Sequence, residues 1–314
     1  MTQTLITLDN ALHRIATIHQ QHSIKCYVSL QYLQSHFNWP DKDWQQITAI
    51  IDMEEPIYLE KVLGQKTNID VVVRRRHWVL QHGLYPYTYF IMQQWINEDG
   101  FQTIFHYYLN ECLSTEHYLN HHLSILLSFN EAHSQLENKQ QTYRFIERFC
   151  EFVTSTFYGN NQIQYPVSPS FNPKLNQEGF PELDTVVKAC LTYPGFWGHN
   201  IITLSWIMKN QTLLNKAQWD QCLLNLYQQC YWVFNEDGDA PKITTHTTEP
   251  LELNPIGWTN KMCPLENACY SLLLKNKNNL HQITLAAAIV YLAKNLTLKP
   301  LDEQRLLSIA HHFA

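Results

Sequence analysis

Histidine is the residue to start from: sixteen stand in a chain of 314 residues. The densest group is Glu116, His117, His121 and His122. On a helix, His117 and His121 are i and i+4 and project from one face about a turn apart. That is the spacing at which two imidazoles share a metal ion. A helix continuous from Phe101 would place Phe105, Leu109, Cys112, Leu119 and Leu123 on one apolar stripe with Glu116 inside it. His106, His117 and His121 would then line one border and His122 the other. A carboxylate amid an apolar face is costly unless it is paired or bound to a cation. The bland alternative is that Glu116 is a first-turn acid of a new helix and the histidines are ordinary surface or core groups.

A second group follows the turn Tyr193-Pro194-Gly195-Phe196-Trp197-Gly198, where His199-Asn200 opens the apolar run Ile201 to Met208. The positive end of a helix dipole lowers the pKa of a histidine placed there and keeps it neutral. Neutral imidazole is what a metal ligand or a general base needs. The alternative is a helix-start pair bonded to backbone.

Two further stretches are weaker. Residues 239 to 264, with Asp237 just before them, hold Asp239, His246, Glu249, Trp258, Lys261 and Cys263. One Asp-x-Asp pair falls short of the ladder of oxygens that a calcium loop requires, and Cys263 with His246 carries little specificity as a nucleophile and base. His77-Trp78 and His82-Gly83, followed by Tyr85, Tyr87 and Tyr89, read as a pocket wall or as plain aromatic core. The phosphate-binding, dinucleotide, zincin and nucleophile-elbow motifs are absent. So is the Glu-x-x-His pair of helical di-iron proteins.

Clustered imidazoles with a carboxylate suit non-haem iron. The expectation is therefore a metal-dependent enzyme, with iron and oxidative chemistry favoured, acting on a small organic or peptide substrate. Glu116, His117, His121 and His199 are the expected metal ligands. His82, His122 and His246 are the expected catalytic groups, with His106 in the outer layer. The 239 to 264 loop, with His246 and Trp258, would be a lid that excludes water. Two other readings compete: a non-enzymatic helical interaction scaffold, and a metal-free binder of a small ligand. Convergence decides between them, because only the enzyme requires His117, His121 and His199 to meet in a buried place.

The elements that must position these groups are helical. Leu8, Leu12, Ile15 and Ile18 recur at helical spacing after Thr7. Pro40 suits the first turn of the next helix, carrying Trp44, Ile47 and Ile51, and Pro56 would open a third. Tyr85 to Trp95 reads as a buried helix ending at Gly100. Residues 131 to 157 read as one long amphipathic helix. Leu183 to Leu191, His199 to Lys209 and a helix capped by Asn215 follow, and three more run from Pro264, His281 and Pro300. No repeat of fixed period is visible, although Asn-Glu-Asp-Gly occurs twice. The fold class is all-α: a bundle-like assembly of roughly a dozen helices, with a small β element expected near 243 to 253. Residues 1 to 158 and 182 to 314 form its two helical parts, joined by the Pro/Gly-rich stretch 159 to 181, either as subdomains or as one compact domain.

Composition bounds the rest. The charged fraction is 16% and the net charge −6, which argues against a nucleic-acid partner. No run of apolar residues is long enough to span a bilayer, and Met1 to Asn10 lacks the pattern of a secretory signal. Eight scattered cysteines without a Cys-x-x-Cys pair fit reduced thiols and a cytoplasmic location. A homo-oligomer is compatible with all of this.

Overall fold

The computed structural model describes residues 6–16, 21–58, 75–83, 85–114, 121–158, 167–168, 171–233, 263–275 and 279–314. The protein is all-α, with fourteen α-helices among the described residues. The two β-contacts there are isolated bridges, Arg14 with Ile57 and Val167 with Trp232. The β element expected near 243 to 253 lies outside the described residues.

Twelve of the helices fall into four units of three. The first unit is α1 (Leu8–Leu12), α2 (Ser23–Gln34) and α3 (Asp41–Glu54). After α4 (Arg76–Gln81) and α5 (Tyr87–Asp99), the second is α6 (Phe101–Ser114), α7 (His121–His133) and α8 (Lys139–Phe157). The third is α9 (Leu183–Thr192), α10 (His199–Lys209) and α11 (Lys216–Gln229). The fourth is α12 (Pro264–Leu274), α13 (His281–Asn295) and α14 (Pro300–His312).

The middle helices form an inner ring: α2 packs on α7, α7 on α10, α10 on α13, and α13 on α2. Each first helix packs on the middle helix of its own unit. Each third helix packs on the first helix of the neighbouring unit: α8 on α1, α11 on α6, α14 on α9, and α3 on α12. The last of these contacts closes the circle. The architecture is a fourfold ring of helical hairpins, with α2 and α7 from before residue 159 and α10 and α13 from after it.

The inner helices run in one direction. His22 and His281 touch at the start of α2 and α13, ring centroids 4.8 Å apart, and Tyr32 and Tyr291 touch near their ends at 6.0 Å. Between α7 and α10, His121 meets His199 at one end and Glu131 pairs with Lys209 at the other. All four amino-terminal ends therefore converge. An inner helix is covered on nearly every side, so it carries no polar stripe. Every residue from Ser23 to Leu30 is buried, as is every residue from His281 to Val290.

That covering explains where the sequence reading goes astray. The helix α2 was not expected, because a helix buried all round shows no amphipathic period. Ile15 and Pro56 do not belong to helices: the N–H of Ile15 donates to the carbonyl of Pro56 at 3.1 Å. The long helix expected over 131 to 157 is two, α7 and α8, with Asn138 capping the second through the N–H of Gln141. The continuous helix from Phe101 is also two, because α6 and α7 pack side by side as a hairpin. The apolar stripe drawn through Phe105 and Leu123 is therefore not a single helix face. Three local expectations hold: Gly100 ends α5 with φ +78°, α10 opens at His199, and Asn215 caps α11 in a reciprocal box with Gln218.

Candidate metal centre

Each inner helix begins with histidine. His22 precedes the first residue of α2, and His121, His199 and His281 are the first residues of α7, α10 and α13. The four rings gather where the helix ends converge. Centroid separations around the circle are 5.3 Å from His22 to His121, 4.1 Å to His199, 4.5 Å to His281 and 4.8 Å back to His22. His22, His199 and His281 are buried and His121 is partly buried. One ring nitrogen from each of His22, His121 and His281 lies within 4.8 Å of the other two. The Nε2 of His199 touches the Nε2 of His121, which makes it the fourth member of the set.

The outer nitrogens are held. His22 Nδ1 lies 3.5 Å from Glu55 Oε1, His199 Nδ1 bonds the carbonyl of Phe196, and His281 Nδ1 bonds Asn279 Oδ1. An oxygen acceptor at Nδ1 accepts the hydrogen bond of an Nδ1–H and so leaves Nε2 with a free lone pair. Ligating histidines are commonly held in this way. Glu55 is itself placed from α2: its two oxygens accept the N–H groups of His22 at 2.7 Å and Ser23 at 2.8 Å.

The residue after each histidine carries a second repeated feature. Ser23, His122, Asn200 and Gln282 are all buried. Each bonds a carbonyl at or near the end of the preceding helix: Ser23 Oγ to Ala11 at 3.2 Å, His122 Nε2 to Cys112 at 3.2 Å, Asn200 Nδ2 to Tyr193 at 2.7 Å and Gln282 Nε2 to Leu272 at 2.9 Å. Ile24, Leu123, Ile201 and Ile283 come next and are buried. The unit is thus His, a polar residue that ties the hairpin shut, then Ile or Leu. This motif, starting at 22, 121, 199 and 281, was the available signal for His22 and His281, although His13-Arg14-Ile15 matches it too. Its unequal spacing hides it from a search for a fixed period.

Electrostatics keep three of the four rings, His121, His199 and His281, neutral. Burial, followed by His199 and the Lys25 charge, holds His121 well below the ordinary imidazole range. Burial and then Lys25 do the same for His199, whose bond to Phe196 opposes them. Burial, with His199, His22 and Lys25, lowers His281. Four converging helix ends add positive potential. Protons are kept off these three rings and their lone pairs remain.

Of the residues singled out from the sequence, the structure brings together His121 and His199. His122 points into its hairpin as the tie to Cys112. His82 is exposed at the end of α4, its ring stacked on Trp78 at 4.2 Å, and His106 is exposed on α6. Glu116, His117 and His246 lie outside the described residues, as do Trp258 and Lys261. Cys263 is exposed and caps α12. Arg76 pairs with Glu98 at 2.6 Å and lies over Trp95. No helix among the described residues is long and apolar enough to cross a membrane.

Comparison with known proteins finds no matching family model, no matching curated protein and no matching solved structure. The functional argument therefore rests on the chemistry of this site.

Proposed function

We propose that this protein is a metalloprotein that holds one divalent transition-metal ion on the axis of its helical ring and uses it on a small-molecule substrate. One observation carries the reading: imidazoles from four separate helices converge, and three of them have Nδ1 held by an oxygen so that Nε2 is left to ligate. His22, His121 and His281 would be the three ligands, with His199 as the fourth or as the neighbour of an open position. An all-imidazole set suits zinc, copper, nickel or iron. Three histidines with an open fourth position are the pattern of catalytic zinc sites. Bound there, the ion would supply Lewis acidity or an activated water.

The protein's own share is positioning. Glu55 orients His22, Phe196 orients His199, Asn279 orients His281, and the inner helices exclude bulk water. The oxidative iron chemistry expected from the sequence remains within this proposal as one metal and one reaction to test. Convergence favours a metal site over the scaffold reading, which predicts dispersed histidines.

The test is metal content of the untagged full chain by mass spectrometry, after loading with zinc, copper, nickel and, anaerobically, ferrous iron. One equivalent bound tightly, and lost in His22→Ala, His121→Ala and His281→Ala while the helical circular dichroism persists, supports the reading. No metal bound in any arm, or binding unchanged in all three variants, overturns it.

A further inference from the structure

Lys25 is the group that a metal centre leaves unexplained. It stands one turn along α2 from His22, on the same face, and is fully buried. Side chains on a helix lean towards its amino-terminal end, so Lys25 reaches back to the histidine layer. Its charge is felt at His121, His199 and His281. Its Nζ has no hydrogen-bond partner among the described residues. Burial draws the ammonium down to about 8, with Cys26 and Glu55 opposing, so it keeps its proton at neutral pH. A buried ammonium without an acceptor is costly, and here four helix ends of positive potential add to it. Glu55, the carboxylate beside them, is already occupied by the start of α2. The missing complement is negative.

A narrow cleft opens on the carboxyl-terminal side of Lys25. It lies between α2, α10 and α13, lined among others by Ser29, Tyr32, Trp206, Lys209, Thr284 and Tyr291, and encloses about 20 Å³. That is room for about one water molecule. Thr284 lies one turn along α13 from His281, and Ser29 one turn along α2 from Lys25. The far end carries the residues ten positions after each histidine: Tyr32, Glu131, Lys209 and Tyr291. Lys209 is paired with Glu131 at 2.8 Å and lies over the Tyr32 ring. An ion pair thus stands at the mouth.

We propose that the ring axis binds a small monovalent anion, of carboxylate or azide size, between Lys25 and the metal on the histidines, and that the cleft below Lys209 is its path. The inference rests on the metal reading for the anion's second contact, and it names the ligand class of that site. Lys25 supplies charge and up to three donors, and the converging helix ends supply the field.

The experiment uses the full chain loaded with cobalt(II), whose visible d–d absorption reports the metal independently of any anion. Azide and acetate are then titrated. The expected result is a saturable change in the cobalt spectrum for both. Lys25→Met should bind cobalt with the same stoichiometry but lose at least tenfold in affinity for the anions. Ala288→Trp, which fills the cleft, should slow the anion response while leaving the starting spectrum intact. A wild-type spectrum that neither anion moves, or an equal response in Lys25→Met, overturns the anion site and leaves the metal reading standing. If cobalt does not bind, the metal reading is judged by its own loading experiment. The histidine side-chain NMR signals of the metal-free chain with acetate then decide: a Lys25-dependent shift supports the anion site, and no shift overturns it.

Discussion

Glu55 closes α3 and is bound by the start of α2: its Oε1 takes the backbone N–H of His22 at 2.7 Å and lies 3.5 Å from the same residue's Nδ1. One carboxylate thus fixes both the helix start and the ring orientation of a candidate ligand. Burial alone would raise Glu55; its bonds from His22 and Ser23 win and hold it below the ordinary carboxylate range. Replacing it removes a charge-assisted acceptor from two buried N–H groups. Glu55→Ala is expected to cost about 2–4 kcal/mol in urea denaturation. Glu55→Gln should cost less, yet weaken metal binding about tenfold or more through His22. Equal metal affinity in Glu55→Gln and wild type would remove Glu55 from the centre.

The hairpin ties should be individually measurable. Asn200 donates to the Tyr193 carbonyl and accepts from Gln229 Nε2 at 2.6 Å. Asn200→Ala strands both partners in the interior and is expected to cost about 2–3 kcal/mol. Gln282 Nε2 reaches two carbonyls, those of Leu272 and Phe313, and Gln282→Ala should cost a similar amount. Chemical denaturation checks both, and a loss under about 0.5 kcal/mol, the level of an ordinary surface change, would show that the repeated polar position is not a tie.

Gly198 sets the entrance to α10. Its φ is +73°, and a Cβ there would lie 2.5 Å from Cδ1 of Leu285, a side chain buried in the core. Gly198→Ala is therefore expected to destabilise the fold by about 1–3 kcal/mol and to displace His199. Thermal melting and metal titration of the same variant read the two effects.

The metal-free protein should be acid-labile in a defined window. His121, His199 and His281 have folded pKa values below 6.5, so under that pH the unfolded chain binds more protons than the folded one. Stability is then full above about 6.5 and falls as pH is lowered, by up to about 4 kcal/mol per unit if all three stay neutral. Urea midpoints from pH 7.5 to 5 check this. A flat profile, or greater stability at the acid end, would contradict the burial of three neutral rings.

His82→Ala and His106→Ala serve as controls. Both residues are exposed, so each change should alter stability by less than about 0.5 kcal/mol and leave metal content as in wild type. Metal lost from either variant would move the centre away from the ring axis.

Much of the local structure was legible. Asn215 with Gln218, the glycine at 100, and prolines 264 and 300 at helix starts announce their elements through chemistry confined to a few neighbouring residues. His199 was legible too, because Gly198 and the apolar run behind it mark a helix start. The surface helices α3 and α11 showed themselves because one side of each meets water.

What the chain alone could not reveal lies on the inner ring. A helix covered on all sides has no polar face to betray its period, so α2 stayed hidden, and with it His22 and Lys25. His281 was readable as a helix start but not as a partner of His121, because residues far apart in sequence acquire a common axis only when the ring closes. Composition and caps determined that the protein is helical and where most helices begin. Closure, achieved when α3 meets α12 and α13 meets α2, decided which four of sixteen histidines face one another.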